Sequence, residues 1–339
     1  MGVRSGKALS ILLLTDLSIP LQPEQFDEYL KTDDWKSDAN VIRTLRRLGH
    51  EVRIFGIHDD IRPLIAEVER DRPDVVFNLC EAFGNDRDFE PHVAALLELL
   101  RVPYTGAGVT PLRVCKDKSL TKKILSYHRV RVPRFVVSRK SKPLRSLGKF
   151  PFPAFIKPLA LEASEGIAQV SFAEDEKHAI ERVRYINEKL AVDAIVEEYI
   201  DGRELYVGVM GNERLVAFPP RELFFRQVPE GEPKIATFRA KWDDGYRRKW
   251  GIDTGPAKGI APEMERRIAE LCKKIYRLLQ MSGYGRIDLR LTPEGEIVFI
   301  EANPNPSIAR EDDFAQSAEK AGIDYDELIA RILRLVNAG

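Results

Sequence analysis

The sequence has little cysteine, no net charge and no long apolar run. Its 339 residues include 3 cysteines, and 53 basic residues balance 53 acidic ones. Without net positive charge, no overall field attracts phosphate backbones, which argues against a general nucleic-acid-binding protein. The early apolar run ALSILLL is too short to span a bilayer and leads into Thr15-Asp16 rather than a cleavage site. We therefore expect a cytoplasmic protein that binds neither nucleic acid nor membrane.

The three cysteines, Cys80, Cys115 and Cys272, are scattered and lack the spacing of metal ligands. An odd number of separated thiols argues against a disulfide framework and agrees with a reducing compartment. We expect each thiol to be buried in a structural role. The chain length allows two or three domains with a well-buried core.

The first part of the chain alternates between apolar runs and amphipathic segments. Buried strands are predicted in LSILLLT, HEVRIFGI and PDVVFNLC, and helices in DANVIRTLRRLG, IRPLIAEVERD and EPHVAALLELLR. Short buried strands separated by helices of about ten residues indicate βαβ units. This pattern predicts a parallel sheet near the N-terminus, in a chain of the α/β class.

The rest of the chain mixes strands and helices less regularly. Strands are predicted in VRVPRFVVS, AFIKP, IAQVSF, AIVEEYI, RELYVGVMG and RLVAFPP, and a hairpin in GYGRIDLRLTPEGEIVFIEANPNP. Helices are predicted in KDKSLTKKILSYH, EKHAIERVRYINEKL, PEMERRIAELCKKIYRLLQ and IDYDELIARILRLVN, the last with a cap. The segment SRKSKPLRSLGKFPFP is typical of a surface connection. Residues 226–258 show no long periodic run, so we expect an extended functional loop there.

The hairpin carries acidic residues in an otherwise apolar context. Alternation places Asp288 on the same face as Arg286, and an antiparallel return brings Glu301 beside Asp288. Asn303 lies on the face of Glu301 if the chain stays extended. Two carboxylates and an amide oxygen beside an arginine suit Mg²⁺, which proteins hold with a few oxygens plus nucleotide phosphates. The alternative is a solvated hairpin with charges on its wet face.

Three lysines lie where a phosphate could bind. Lys157 ends the strand AFIKP, and a small-residue loop with Ser164 and Gly166 follows, an arrangement that can hold phosphate. Lys118 in KDK and Lys241 in FRAKW could also approach a nucleotide. The alternatives are an ordinary turn, a solvated helix start and an exposed charge beside a partly packed tryptophan.

Acidic residues surround a predicted turn between two strands in IVEEYIDGRELYV. Glu197, Glu198 and Glu204 could accept hydrogen bonds from an adenine amine and from ribose hydroxyls. Taken in isolation, this segment favours solvated turn charges.

Taken in chain order, the motifs PYTGAG, KDK, IKPLALEASEGI, VEEYIDGRE, AKW, GRIDLRL and IEANPNP resemble the ATP-grasp superfamily. Within it they are most similar to the D-alanine–D-alanine ligase-like branch, over more than two-thirds of the chain. The resemblance implies an ATP-grasp fold in three parts. An N-terminal parallel-sheet domain would span residues 1–115, a central α+β subdomain 116–200, and a C-terminal α+β subdomain 201–339.

The resemblance also implies a role for each matching residue. The phosphates of ATP would contact Lys118, Lys157, Ser164, Gly166 and Lys241. Adenine would be bordered by Glu197, Tyr199 and Ile200, and ribose would bind Glu204. Mg²⁺, or Mn²⁺ in its place, would be held by Asp288, Glu301 and Asn303. Arg286 would be the main catalytic residue, assisted by Lys241 and Ser164.

The activity implied by the resemblance is ATP-dependent joining of a carboxylate to an amine through an acyl phosphate. The substrates would be small amino acids or peptides, and two copies could pair as a homodimer. Three departures from the family lie where it binds amino acids: the loop TDLSIPLQPEQFDEYLK, Glu81 in place of a histidine, and Ser307 in place of a glycine. They predict a substrate other than D-alanine, with an extra cationic or polar group. The alternatives are an ATP-grasp kinase with a non-amine acceptor and a nucleotide-binding module without turnover.

Overall fold

The computed structural model describes residues 8–19, 25–32, 35–161, 166–228, 235 and 243–336. Within these ranges the strands form three sheets, which we call the N-terminal, middle and C-terminal sheets. The N-terminal sheet is parallel, whereas the other two are antiparallel. None of the described helices is long and apolar enough to cross a bilayer.

The N-terminal sheet has the order β2-β1-β3. Its strands are β1 (Ser10–Asp16), β2 (Glu51–Ile57) and β3 (Val75–Asn78). The helices of this region are α1 (Phe26–Tyr29), α2 (Lys36–Arg47), α3 (Arg62–Arg70) and α4 (Glu90–Leu99). The central strand β1 is apolar at almost every position because both faces of a parallel sheet are covered. The predicted βαβ region is therefore confirmed.

Two consecutive helices lead from this sheet to the middle sheet. They are α5 (Val109–Lys116) and α6 (Lys118–Tyr127), separated only by Asp117, whose carboxylate caps α6 by accepting from the amides of Ser119 and Leu120. The middle sheet has the order β4-β7-β5-β6, with β4 (Phe135–Ser138), β5 (Ala154–Pro158), β6 (Phe172–Ala173) and β7 (Ala194–Glu198). The helix α7 (Glu176–Lys189) packs on it.

The C-terminal sheet has the order β11-β10-β8-β12-β13, and β9 pairs with β8. Its strands are β8 (Arg203–Met210), β9 (Val216–Ala217), β10 (Arg221–Phe225), β11 (Ile252–Pro256), β12 (Tyr284–Leu291) and β13 (Ile297–Pro304). The helices of this part are α8 (Asp244–Trp250), α9 (Pro262–Leu278), α10 (Asp313–Lys320) and α11 (Tyr325–Arg334). The predicted hairpin and the Asp324 cap of the last helix are confirmed.

Two local predictions are wrong. IAQVSF is mostly not a strand: Gln169–Ser171 form a 3-10 turn, because the Ser171 hydroxyl accepts from the amide of Ala168, and only Phe172 and Ala173 pair with β5. The expected loop over 226–258 contains α8 and β11. Asp243 caps α8, and β11 completes the edge of the C-terminal sheet beside β10.

The ends of the chain share one hydrophobic core. Ile11 and Leu13 of β1 belong to the same buried cluster as Leu328 and Ile329 of α11. Arg47 of α2 reinforces this packing with an Nε hydrogen bond of 2.7 Å to the carboxylate of Asp326. The three cysteines are buried free thiols, as predicted.

Truncation of Ile329 to alanine should destabilise the whole chain. Ile329 is fully buried in the shared core, so Ile329→Ala should lower the free energy of unfolding by about 2–5 kcal/mol. Urea unfolding of the two proteins measures the difference. Leu99→Ala is the control, because Leu99 is 81% exposed and should change stability by less than about 0.5 kcal/mol. Equal effects of the two changes would contradict the shared core.

Candidate active site

The two faces of the C-terminal sheet have opposite characters. Leu205 and Leu289 lie on the face that packs against α9. Their neighbours along the strands, Glu204 and Asp288, lie on the other face because side chains alternate. The sheet therefore separates an apolar core from a surface that carries charge.

An additional residue in β13 determines which side chains of this strand lie on the charged surface. Asp288 is the cross-strand partner of Glu301, but Leu289 is the partner of Phe299, so Ile300 is an additional residue at the register shift. In a regular strand Phe299 and Glu301 would share a face. The bulge breaks this alternation, so that Phe299 stays in the core while Glu301 lies beside Asp288.

Arg286, which is partly buried, forms an ion pair with the buried Asp288 on this surface. The Arg286 Nε and Nη2 atoms donate to the two carboxylate oxygens of Asp288 at 2.7 and 2.9 Å. Burial would lower the pKa of Arg286, but the Asp288 charge and its hydrogen bonds raise it above the usual value. The guanidinium also lies over the ring of Tyr206, 4.8 Å from its centroid. This pairing holds the arginine in one orientation.

The three proposed metal ligands, Asp288, Glu301 and Asn303, are neighbours on the paired strands β12 and β13. Asn303 pairs with Arg286 across the strands and donates from Nδ2 to Asp288 Oδ2 at 3.2 Å. Among the residues of the described ranges, no three His, Cys, Asp or Glu side chains form a metal-binding group. The oxygens of Asp288, Glu301 and Asn303 are hard ligands of the type Mg²⁺ takes, and a phosphate-bound Mg²⁺ needs only a few of them.

A cavity lies between the middle and C-terminal sheets, next to the hairpin. The described residues that line it are Pro133, Phe155, Lys157, Ile167, Glu197, Glu198, Tyr199, Ile200, Glu204, Ile235, Arg290, Ile300 and Glu301. The structure thus brings six of the predicted site residues to one cavity: Lys157, Glu197, Tyr199, Ile200, Glu204 and Glu301.

A buried carboxylate between two lysines forms one side of this cavity. Glu197 Oε1 lies 2.8 Å from Lys122 Nζ, and its Oε2 lies 3.1 Å from Lys157 Nζ. Burial alone would raise the pKa of Glu197, but the two lysines hold it below its usual value. Burial lowers the pKa of Lys122 to about 8, although Glu197 opposes the shift. Lys122 Nζ also donates to the carbonyl of Ile300 at 2.8 Å, which ties α6 to the bulge.

Glu204 is held by two partners rather than lying as a free turn charge. Arg290 Nη2 donates to its Oε2 at 2.6 Å, and the Tyr206 hydroxyl donates to its Oε1 at 2.9 Å. Arg290 also lies 6.0 Å from the ring centroid of Tyr199. Arg290 and Lys122 were not predicted from the sequence as site residues. Lys122 follows Lys118 by one helical turn, which was a signal that both could point to the same side.

A family model described as D-ala D-ala ligase C-terminus matches residues 118–334. The chain belongs to this family. The uncharacterized protein y4sG of Sinorhizobium fredii (strain NBRC 101917 / NGR234) is 30% identical over 306 residues, covering 87% of this chain and 85% of that protein. The D-alanine–D-alanine ligase of Aquifex aeolicus (strain VF5) is 28% identical over 301 residues, covering 88% and 94%.

Solved structures show the same fold. The D-alanine–D-alanine ligase of Bacillus anthracis complexed with ATP matches 97% of each chain with a TM-score of 0.72 and 20% identity. The VanG D-Ala:D-Ser ligase of Enterococcus faecalis matches 97% of this chain and 99% of its own with a TM-score of 0.67 and 18% identity. The predicted ATP-grasp fold, the D-alanine–D-alanine ligase-like branch and the class of enzyme, an ATP-dependent ligase, are confirmed.

Two further predicted phosphate residues of this ligase, Lys118 and Gly166, lie around the end of β5. Lys118 Nζ donates to the carbonyls of Leu161 and Leu159 at 2.6 and 3.4 Å. Gly166 has φ +69°, and a Cβ there would lie 2.8 Å from Pro158 Cγ, so a side chain would be strained as well as crowded. Ser164 and Lys241 lie outside the described residues.

The N-terminal sheet of the ligase contributes a second acidic group that the sequence analysis missed. Asp38, in the first turn of α2, is only 8% exposed, and burial raises its pKa to about 6. Asp16, the last residue of β1, and Glu81, in the segment after β3, raise it further, while the Thr15 side chain opposes the shift. Only burial would have identified Asp38, since an acid in a first helical turn is ordinary.

The raised pKa of Asp38 predicts a pH-dependent stability. The folded chain holds this proton up to about pH 6 whereas the unfolded chain releases it near 3.8, so the charged form costs stability as pH rises. Asp38→Asn removes that cost. Its unfolding free energy relative to the wild type should increase by roughly 1–2 kcal/mol between about pH 5 and pH 7.5. Urea unfolding at the two pH values measures this, and a difference that stays constant would contradict the buried carboxylate.

Proposed function

We propose that this ligase transfers the terminal phosphoryl group of ATP to a substrate carboxylate and joins the resulting acyl phosphate to an amine. The observation that carries the proposal is the charged face of the hairpin. Arg286, Asp288 and Glu301 lie together on it, and Glu301 lines the same cavity as Lys157 and Glu204. Phosphate, sugar and metal contacts can therefore be made from one side of the sheet.

ATP is the proposed cofactor of the cavity. The solved Bacillus anthracis ligase of the same fold is complexed with ATP. Here Tyr199 and Ile200 would border adenine, and Glu204 would accept hydrogen bonds from the ribose hydroxyls. Lys157 would face the phosphates from the buried pair that it makes with Glu197. Glu197 thus already forms ion pairs with Lys122 and Lys157. A hydrogen bond from the adenine amine would have to be accepted by the same carboxylate oxygens.

Magnesium would be held by Asp288, Glu301 and Asn303, in agreement with their oxygen donors. When bound with ATP, such a metal neutralises charge on the transferred phosphoryl group. Arg286 is already oriented by both oxygens of Asp288, so it can present positive charge to the phosphoryl acceptor and later to the tetrahedral oxyanion. The apolar cavity wall at Ile200 and Ile300 would exclude water from the reactive acyl phosphate.

The substrate is proposed to be larger and more polar than D-alanine. Glu81, which the resemblance places at the position of a histidine, is half exposed and paired with Arg87 at 3.1 Å. Ser307 donates from its hydroxyl to Asp312. Nearby charges are partly neutralised within the chain, since Asp313 pairs with Arg221 at 2.6 Å. The homodimer stays a prediction.

Loss of the Glu301 carboxylate should abolish turnover without unfolding the protein. If Glu301 and Asp288 share Mg²⁺, Glu301→Gln should remove nearly all ADP release and raise the Mg²⁺ concentration required for the remainder. The thermal midpoint should stay nearly unchanged, because Glu301 is only partly buried. Full activity at saturating Mg²⁺ would count against the metal assignment.

Glu204→Ala should weaken ATP binding by on the order of 1–3 kcal/mol through lost hydrogen bonds to ribose. It should weaken a 2′,3′-dideoxy analogue much less, since that nucleotide has no hydroxyls to lose. Arg290→Met is the matched control, because it breaks the same ion pair but keeps the carboxylate. Titration calorimetry compares the two nucleotides, and equal losses for both on Glu204→Ala would exclude the ribose role.

The function itself is tested by incubating the protein with ATP, Mg²⁺ and a panel of amino acids and short peptides. We expect ADP release with a product whose mass corresponds to one new amide bond, and a poor reaction with D-alanine alone. A phosphorylated product without an amide would indicate a kinase, and nucleotide binding without ADP would indicate a regulatory module. Efficient D-alanyl-D-alanine formation would overturn the substrate proposal.

A further inference from the structure

Asp38 has a carboxylate oxygen that nothing in the described part of the chain satisfies. The residue is 8% exposed, and its Oδ1 atom has no hydrogen-bond partner among the described residues. The Thr15 side chain acts on the carboxyl group and lowers its pKa, so it favours the ionised form. A buried charged oxygen without a partner is costly, and such groups are kept where a ligand completes them.

The surroundings of Asp38 are acidic. Asp16 accepts from the amide of Glu81 at 2.7 Å, which fixes the end of β1 against the segment after β3. The charges of Asp16 and Glu81 both act on Asp38 and raise its pKa, and burial raises the pKa of Asp16 as well. Arg87 pairs with Glu81 and lowers the pKa of Asp16. The two charged groups that act most strongly on Asp38 are Asp16 and Glu81, and both are negative.

The acidic group adjoins the chain that continues from the catalytic hairpin. The Arg310 amide donates to Asn40 Oδ1 at 2.8 Å, and Lys36 lies 3.3 Å from Glu311, so the start of α2 contacts the segment after β13. The charge of Glu81 also acts on Tyr284, the first residue of β12. A molecule bound at Asp38 would therefore lie near the start of β12 and near the segment that follows β13.

We propose that Asp38, together with Asp16 and Glu81, binds the cationic side chain of the amino-acid substrate. The inference rests on the proposed ligase function and names its substrate class, an amino acid with a second ammonium or guanidinium group. A compact zwitterion brings as much negative as positive charge, so it does not offset the negative charges of Asp16 and Glu81 that act on Asp38. A dibasic amino acid adds a net positive charge, and its side-chain cation can donate to Asp38 Oδ1. Such a pocket rejects a neutral analogue, because the buried oxygen would then stay unpaired.

Binding without ATP tests the pocket independently of turnover. The probes are lysine, ornithine and arginine, each compared with its neutral counterpart (norleucine, norvaline and citrulline), in both enantiomers at up to millimolar concentration. Calorimetry on the full-length wild type should show at least one basic probe binding about 10- to 100-fold more tightly than its neutral counterpart, as expected for one charged hydrogen bond. Asp38→Asn should reduce that ratio to near one. Glu69→Gln, at an exposed position of α3, is the matched control and should keep it.

The outcomes separate the pocket from the proposed function. Binding of a basic probe that is lost in Asp38→Asn, without ADP release when ATP and Mg²⁺ are added, would support the pocket and contradict the ligase proposal. A preference that survives in Asp38→Asn, or a loss that is equal for basic and neutral probes, would overturn the side-chain assignment. So would the absence of binding by every basic probe. Asp38→Ser, checked by circular dichroism, replaces Asp38→Asn if that variant does not fold.

Discussion

Strands β12 and β13 pair with one residue more on β13, and the arrangement of the whole charged surface depends on it. Ile300 is the extra residue, and its carbonyl accepts from Lys122 at 2.8 Å. Lys122 in turn contacts Glu197, which contacts Lys157. The bulge therefore does two things: it turns Glu301 toward Asp288, and it offers a backbone acceptor to the buried lysine of α6. Sheet register and electrostatics are coupled at one residue.

Two of the buried acids in the described part of the chain, Glu197 and Asp38, are compensated in opposite ways. Glu197 is fully surrounded but lies between two lysines, so the chain itself supplies the charge that burial requires. Asp38 is nearly as buried, but the charges of Asp16 and Glu81 that act on it are negative. Removing one partner of a compensated ion pair leaves a buried charge without its counter-charge and lowers stability. Neutralising an uncompensated buried charge removes its desolvation cost and raises stability. Conservative substitutions at these two positions should therefore change stability in opposite directions.

Strong periodicity made much of the fold predictable. The apolar run of β1, the 17-residue helix α9 and the alternating hairpin were all found because burial imposes periods of 2 and 3.6 on the sequence. The failures have local causes. The Ser171 hydroxyl diverts a backbone amide from strand pairing, and β11 lies at a sheet edge where few positions need to be apolar.

The candidate site was predictable to the extent that its residues end strands or are charges within apolar strands. Lys157 lies near the end of β5, and Asp288 and Glu301 stand out as charges within apolar strands. The structure places Glu301 beside Asp288 and in the same cavity as Lys157. Lys122 and Asp38 have neither feature: both lie on helices, where a polar residue normally faces water. Their importance arises from burial by segments distant in sequence, which single-chain patterns do not record. The bulge at Ile300 was likewise not predictable, because an apolar run does not show which of its residues is the additional one.

The shared core of β1 and α11 has a consequence for how the chain is made. Ile11 and Leu13 leave the ribosome ~300 residues before the helix that covers them, at a rate of about 5–20 residues per second. During that interval this face of the N-terminal sheet is covered only in part, by residues of α2 such as Val41 and Ile42. Its native packing cannot be completed before α11 has been synthesised. Release of an incomplete chain would expose an apolar sheet face, which favours aggregation over partial folding.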